Sequence, residues 1–368
     1  MKKVYFRNTE NWQSVYALVF DKNEEKSEEL LLTECDVDGD LVLCLGDPSY
    51  DHLYFTDGGA ERTGKVYLPN VPIGVEYKKN EGMGKNLTYI FAKGIESTGR
   101  VENFTLEDAK NLSYREDKSK KISVFLPSGY DGEKKYDILY FFDAQNLFGL
   151  AGKYTDNGDP YGSWQLDSVL RALGKETIVV GIDNADRYRD QELFMDPSDF
   201  GTLAPLATAL PEEDYSHGQL DGLLDFILQT LHPYIRENYF VKEDNIGIGG
   251  SSMGGIASFY CGLREPSFFG YVLSYSPAFG LYEMSAFERF FAKKGYGDAQ
   301  ECLPKIHIYC GGGDMLEQML LPHSKAMKKV LVRFGYPREK VFETFDDEKP
   351  HNEESWRLVL PQSFEYLT

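Results

Sequence analysis

The sequence predicts an α/β fold, a doubly wound and mostly parallel sheet, preceded by a small all-β sandwich. Three observations carry this. From Lys121 onward, strand-like runs alternate with helical patterns, the arrangement that places helices on both faces of a parallel sheet. Residues 1 to about 100 instead hold short alternating stretches separated by Asp-Gly, Gly-Asp-Pro and Gly-Gly turns. Between the two lies a charged stretch, Glu107 to Lys121, with little apolar content. A chain of 368 residues with 42% hydrophobic content is long enough for two such units. The predicted boundaries are a sandwich over 1–105, a linker over 106–120 and an α/β domain over 121–368.

In the first unit, Ser14 to Phe20 and Asp40 to Leu45 alternate apolar and polar residues, so an antiparallel sandwich is expected. In the second, strand patterns fall at Ile122 to Leu126, Tyr136 to Phe142 and Glu176 to Ile182, with a helix near Gln165 to Leu173. Leu220, Leu223, Leu224, Ile227 and Leu231 share one face of a further helix. It leads into a strand near Asp244 to Ile248. Further strands follow at Tyr271 to Ser276, Lys305 to Cys310 and Val341 to Phe345, and a helix runs from near Met315 to Phe334.

Lys and Arg total 39 against 59 Asp and Glu, a formal charge of -20, which disfavours nucleic acid and anionic membrane surfaces as partners. No segment reaches the roughly 18 apolar residues of a membrane span. The N-terminus lacks the apolar run of a signal peptide, so a cytoplasmic location is expected. The five cysteines form no C-x-x-C pair, and neither a metal nor an organic cofactor is expected.

The run Gly247 to Gly255 contains G-x-S-x-G, read as Gly250, Ser251, Ser252, Met253 and Gly254, between a strand pattern and a helix pattern. This is the spacing of a nucleophile elbow, in which Ser252 projects from a strained turn while flanking glycines let strand and helix approach. The competing reading is a phosphate-binding loop whose serines cap the helix. No Gly-Lys-Ser/Thr follows it. A serine hydroxyl needs an imidazole to take its proton and a carboxylate to orient that imidazole, in the chain order Ser, acid, His. Of six histidines, His52, His217 and His232 precede the serine, His307 lies in a strand and His323 in a helix. His351, in a proline-broken loop after a strand, is the expected base. Asp314, in the loop after Cys310, is the expected acid, with Glu317 one helical turn on as the runner-up. Asp346, Asp347 and Glu348 are weaker candidates. The oxyanion donors are expected to be the amides of Met253 and of Ala144 or Gln145, the latter pair following an early strand.

With these residues in view, residues 119–368 resemble the putative esterase family of α/β-hydrolases, which includes esterase D, feruloyl and acetyl xylan esterases and siderophore esterases. The motifs are Phe142 to Phe148, Gly181-Ile-Asp-Asn184, Arg189 to Leu193, Gly249 to Gly255 and His351 to Trp356. The resemblance implies Ser252 as nucleophile and His351 as base, with an acid at Asp314, although the family often has Gly-Thr-x-Glu where this chain has Gly311-Gly-Gly-Asp314. Arg189 and Glu192 read as an ion pair supporting the site, and Trp164, Tyr188 and Phe194 as pocket lining, with core packing the safer reading for any one of them. The first hundred residues resemble starch-binding modules, which implies an α-glucan ligand stacked on Tyr5, Trp12 or Tyr16; the equal alternative is a domain that shields or shapes the active site, as in siderophore esterases with an N-terminal sandwich. The function so implied is a serine carboxylesterase acting on an acylated carbohydrate through an acyl-enzyme. The alternatives are a siderophore-type lactone esterase, an acyltransferase on the same triad, or a catalytically silent glycan-binding protein.

Overall fold

The structure, a computed structural model, describes residues 1–80, 85–93, 99–107, 109–112, 114–116, 118–148, 163–184, 188–201, 203–204, 217–296 and 302–367. The sequence also leads us to expect substrate specificity in the loop between Asp183 and His217 and in the segment from Ala278 to Cys302, and parts of both lie outside the described residues.

The N-terminal unit is two four-stranded sheets. One has the order β4 (Leu41–Leu45), β1 (Lys2–Arg7), β7 (Ile73–Asn80), β8 (Lys85–Phe91), and the other β3 (Ser27–Leu31), β2 (Tyr16–Asp21), β5 (Tyr50–Thr56), β6 (Val66–Tyr67). Alternation along β1 and β2 buries Val4, Phe6, Ala17 and Val19. The sandwich is not wholly antiparallel, because β1 pairs with β7 in parallel. The chain between them builds the whole of the other sheet as well as the edge strand β4, which supplies the long crossover that a parallel pair needs.

The second unit is an eight-stranded sheet of order β16 (Val341–Asp346), β15 (Lys305–Gly311), β14 (Phe269–Tyr275), β13 (Ile246–Ser251), β11 (Asp137–Phe142), β12 (Thr177–Ile182), β10 (Lys120–Leu126), β9 (Arg100–Leu106). All neighbours are parallel except β10, which runs against both β12 and β9. Strands β12 and β13 are buried along their whole length, as unbroken apolar and glycine runs between two layers of helices should be. β9 starts inside the segment expected to belong to the sandwich, yet it pairs with β10 in the larger sheet. The hand-over therefore precedes Arg100. The charged stretch behind it is a connection anchored by buried Ala109 and Leu112.

The amphipathic helix after residue 219 is three consecutive pieces, Leu220–Phe226, Ile227–Leu231 and His232–Asn238, the middle one a π-turn. Pro233 lacks an N–H to give to the preceding turn, and a widened turn just before it removes that requirement. One apolar core lies on the face covered by these pieces and by helix Met253–Arg264. The other runs from Trp164, Tyr275 and Trp356 into Val4, Phe55 and Ile73, so it is continuous between the sheet's second face and the sandwich.

Candidate active site

The parallel strands β11, β13, β14, β15 and β16 all end at one edge of the sheet, and the candidate site residues lie just beyond those ends. Ser252 follows β13 and caps helix Met253–Arg264 with φ 56° and ψ -118°, outside the comfortable regions for a residue with a side chain. A Cβ on Gly250 would stand 2.5 Å from the Gly254 carbonyl oxygen, so the tight turn requires glycine there. The turn is tied to the next strand: Ser252 N–H donates to Tyr275 O at 2.9 Å, and Ala278 N–H donates to Ser252 O at 3.1 Å. Met253, the first helical residue, has an amide with no partner in its own helix, pointing out of the positive end of the helix dipole.

His351 Nδ1 lies 3.1 Å from Glu317 Oε1. Here the structure departs from the expectation of Asp314. Both oxygens of Asp314 are engaged with backbone: Oδ1 accepts from Glu317 N at 2.9 Å as the N-cap of helix Met315–Arg333, and Oδ2 accepts from His351 N at 2.7 Å. Helical side chains lean toward the N-terminus, which carries Glu317, three residues into the helix, back over the strand end. Its carboxylate is fully buried and meets four donors. Oε1 takes Ser276 Oγ–H and the imidazole; Oε2 takes Gly311 N at 3.1 Å and Cys310 Sγ–H at 3.0 Å. Burial, and then the nearby Glu317 charge, push the Cys310 thiol well above its ordinary range, so it stays protonated as a donor.

Ser276 carried no sequence signal as a site residue, and Trp356 entered only as the end of the His351 to Trp356 motif. Ser276 follows β14 with φ 41°, and its hydroxyl accepts from Trp356 Nε1–H at 2.9 Å while donating to Glu317. The Trp356 ring stands edge-on to His351, with centroids 5.0 Å apart. One buried network thus holds acid and imidazole together. The loop carrying His351 presses on the acid loop: a Cβ on Gly311 would lie 2.1 Å from Lys349 O, and Gly312 and Gly313 amides donate to that oxygen.

Beyond β11, Asp143 takes a left-handed conformation, φ 59°, and opens a short 3-10 turn over Ala144–Asn146. Within the turn Asn146 N–H and Leu147 N–H donate backward, which leaves the Ala144 and Gln145 amides outside its own ladder. The turn leans on the elbow helix, since a Cβ on Gly254 would be 3.3 Å from Asp143 Oδ2. Arg189 holds it there with two hydrogen bonds to Asp143, 2.7 Å from Nε and 2.8 Å from Nη2. The expected Arg189–Glu192 pair is therefore replaced. Glu192 instead binds Lys120, Arg115 and Tyr114.

Other expected positions fall elsewhere. Trp164 is buried against Phe141, Tyr275 and Trp356, so it braces the network from behind instead of lining an open pocket. Phe194 packs on Tyr282 in the core. Tyr188 is half-buried at the start of helix Arg189–Leu193, with the Arg115 guanidinium over its ring. Trp12 is inside the sandwich, stacked on Phe6 and donating Nε1–H to Glu61, so it presents no open face to a sugar. Tyr5, beneath Lys3 and Lys93, and Tyr16, against Gly58, are half-buried. His307 is buried between Ser363 and Thr344, and burial lowers it to about 3, so it stays neutral at working pH. Among the described residues no helix is long and apolar enough to cross a membrane.

The profile of the family described as "Putative esterase" matches residues 113–365. The ferri-bacillibactin esterase BesA of Bacillus subtilis (strain 168) is 25% identical over 173 residues, 45% of this chain and 56% of that protein. The chain thus spans about half the length of that curated relative. Among solved structures, an IroE-like serine hydrolase from Shewanella oneidensis shares 19% identity at TM-score 0.53, covering 72% of this chain and 80% of that one. The siderophore hydrolase EstA from Aspergillus nidulans shares 15% identity at TM-score 0.54, covering 74% and 97%. These likenesses show that the fold is the one those hydrolases have.

Proposed function

The chain belongs to the putative esterase family, and from that premise we propose that it is a serine carboxylesterase working through an acyl-enzyme on Ser252, His351 and Glu317. The observation that carries this is a buried, four-donor carboxylate on His351 Nδ1, at the sheet edge where a strained serine caps a helix. With Nδ1–H held by Glu317, the other ring nitrogen is left as the acceptor. Ser252 Oγ attacks the ester carbonyl and its proton passes to His351 Nε2. The resulting oxyanion is met by the Met253 amide and by that of Ala144 or Gln145. The imidazolium then protonates the leaving alcohol, and water repeats the sequence on the acyl-serine to release the acid. Asp314 takes the role of a positioning residue, holding the His351 loop to the acid's helix.

For the substrate we propose an acylated carbohydrate, with a siderophore-type ester as second reading. The burial of Trp12 is why the second stands beside the first, because it removes one aromatic face on which the sugar reading rested. p-Nitrophenyl acetate tests the reaction class. Turnover by the wild type that vanishes in Ser252→Ala is expected, and turnover unchanged in that variant refutes the proposal. Acetylated and feruloylated sugars set against a catecholate trilactone then separate the two substrates.

A further inference from the structure

Between the sandwich and the His351 loop lies a cavity of about 400 Å³, large enough for a small organic ligand. Lys349, two residues before His351, lines it and is 7% exposed. Among the described residues no carboxylate lies within ion-pair distance of its ammonium and no acceptor takes a hydrogen bond from it. An ammonium largely stripped of water and without a direct partner is costly, and only the more distant charges of Glu354 and Asp346 favour it here. In a chain of net charge -20, a free acidic partner would be easy to supply.

The rest of the lining is also rich in unused donors. Thr63 and Thr88 are buried, and each hydroxyl oxygen accepts a backbone N–H, from Phe55 at 3.0 Å and Gly64 at 2.7 Å. Neither hydroxyl hydrogen has an acceptor among the described residues. The acidic members, by contrast, are engaged. Glu354 accepts from Thr88 N at 2.6 Å, and Glu348 accepts from Tyr54 and faces Arg62. Lys65 is satisfied by Asp346 and Glu24. Gly64 leaves room for the ammonium, since a Cβ there would lie 2.8 Å from Lys349 Nζ.

We propose that this cavity is a binding site for a small carboxylate, held by the Lys349 ammonium and the Thr63 and Thr88 hydroxyls. Of the three cations in the lining, Arg62 and Lys65 are already paired, so one free cation beside two hydroxyl donors suits a monoanion, and Glu348 and Glu354 at the rim oppose a dianion such as phosphate more strongly. Burial lowers Lys349 to about 8, which still leaves it mostly charged at neutral pH. The site is independent of ester turnover.

The test is calorimetric titration of sodium glucuronate and sodium acetate into wild type and into Ser252→Ala, against sodium chloride at equal ionic strength. Saturable binding of either carboxylate in both proteins, weakened at least about tenfold in Lys349→Met, is the expected result. Where that variant misfolds, reductive methylation of Lys349 in unmutated protein, followed by peptide mass spectrometry, must slow with carboxylate and not with chloride. No binding above the chloride control, unchanged binding in Lys349→Met, or unprotected Lys349 overturns the site.

Discussion

Replacing Glu317 with Gln separates the two acidic residues near His351. The wild-type carboxylate offers acceptors on both oxygens to four donors, whereas an amide has one acceptor oxygen and one NH2 group. If the NH2 faces Gly311, that backbone N–H cannot turn away, and an unmet buried donor costs about 1–3 kcal/mol of stability. If it faces His351, the ring must present Nδ1 as acceptor and carry its proton on Nε2. It then cannot take the Ser252 proton. In either orientation the charge that would stabilise the imidazolium is gone. A triad carboxylate changed to its amide lowers kcat by about 10⁴, or roughly 5.4 kcal/mol at 1.36 per tenfold.

Asp314→Ala acts differently. It removes an N-cap, worth about 1 kcal/mol, and one bond to the His351 backbone, while the Glu317–His351 contact stays. The assay is steady-state p-nitrophenyl acetate hydrolysis with thermal unfolding of each variant alongside. Glu317→Gln should fall by three to four orders of magnitude, a figure of about the size expected for this class. Asp314→Ala should lose mainly stability. If Asp314→Ala is as inactive as Ser252→Ala while folded, and Glu317→Gln keeps most activity, the assignment of Glu317 is wrong.

Two further expectations rest on the same network. Trp356→Phe removes the Nε1–H donor to Ser276 and keeps the ring beside His351, so unfolding free energy should fall by about 1 kcal/mol and kcat by a smaller factor than in Glu317→Gln; an unchanged melting curve would remove Trp356 from the network. His307 is held neutral to about 3, against 6.5 when unfolded, so between those values the unfolded chain binds the extra proton and stability is lost as pH falls. Urea unfolding across that window should show a shallower acid limb in His307→Gln, by up to about 1.4 kcal/mol per pH unit. A parallel limb would mean that His307 does not titrate as its burial implies.

What could be read in advance were local properties. Glycine spacing places Ser252, and the position of a proline-broken loop after the penultimate pattern places His351 beyond a strand end. Alternation and unbroken apolar runs likewise foretell both sheets, although not the parallel β1–β7 pair, which depends on a partner some seventy residues away. The choice between Asp314 and Glu317 depended on something less visible. Asp314-x-x-Glu317 has the spacing of a capping box, yet only its first half forms: Asp314 accepts from Glu317 N, while the Glu317 carboxylate, which a full box would turn back to the Asp314 amide, meets Ser276, Cys310, Gly311 and His351 instead. The N-cap half of the pattern argues against Asp314 as the acid, whereas the buried donors that select Glu317 come from strand ends distant in sequence.

Ser276 had no such signal, and the reason is physical. Ser252 and Ser276 end the adjacent strands β13 and β14, both with positive φ, a conformation that costs of order 1–3 kcal/mol for each. Nothing in a serine's local sequence demands it. Each is held by a bond to the carbonyl of the neighbouring strand's last residues, Ser252 N to Tyr275 O and Ser276 N to Tyr309 O. Strain at one strand end is thus fixed by the next strand in the sheet, β13 by β14 and β14 by β15. That staircase delivers a serine, a second hydroxyl and then the Glu317 helix to one edge in order. It exists only once the parallel register has formed, so the geometry of the acid site is a property of the sheet as a whole.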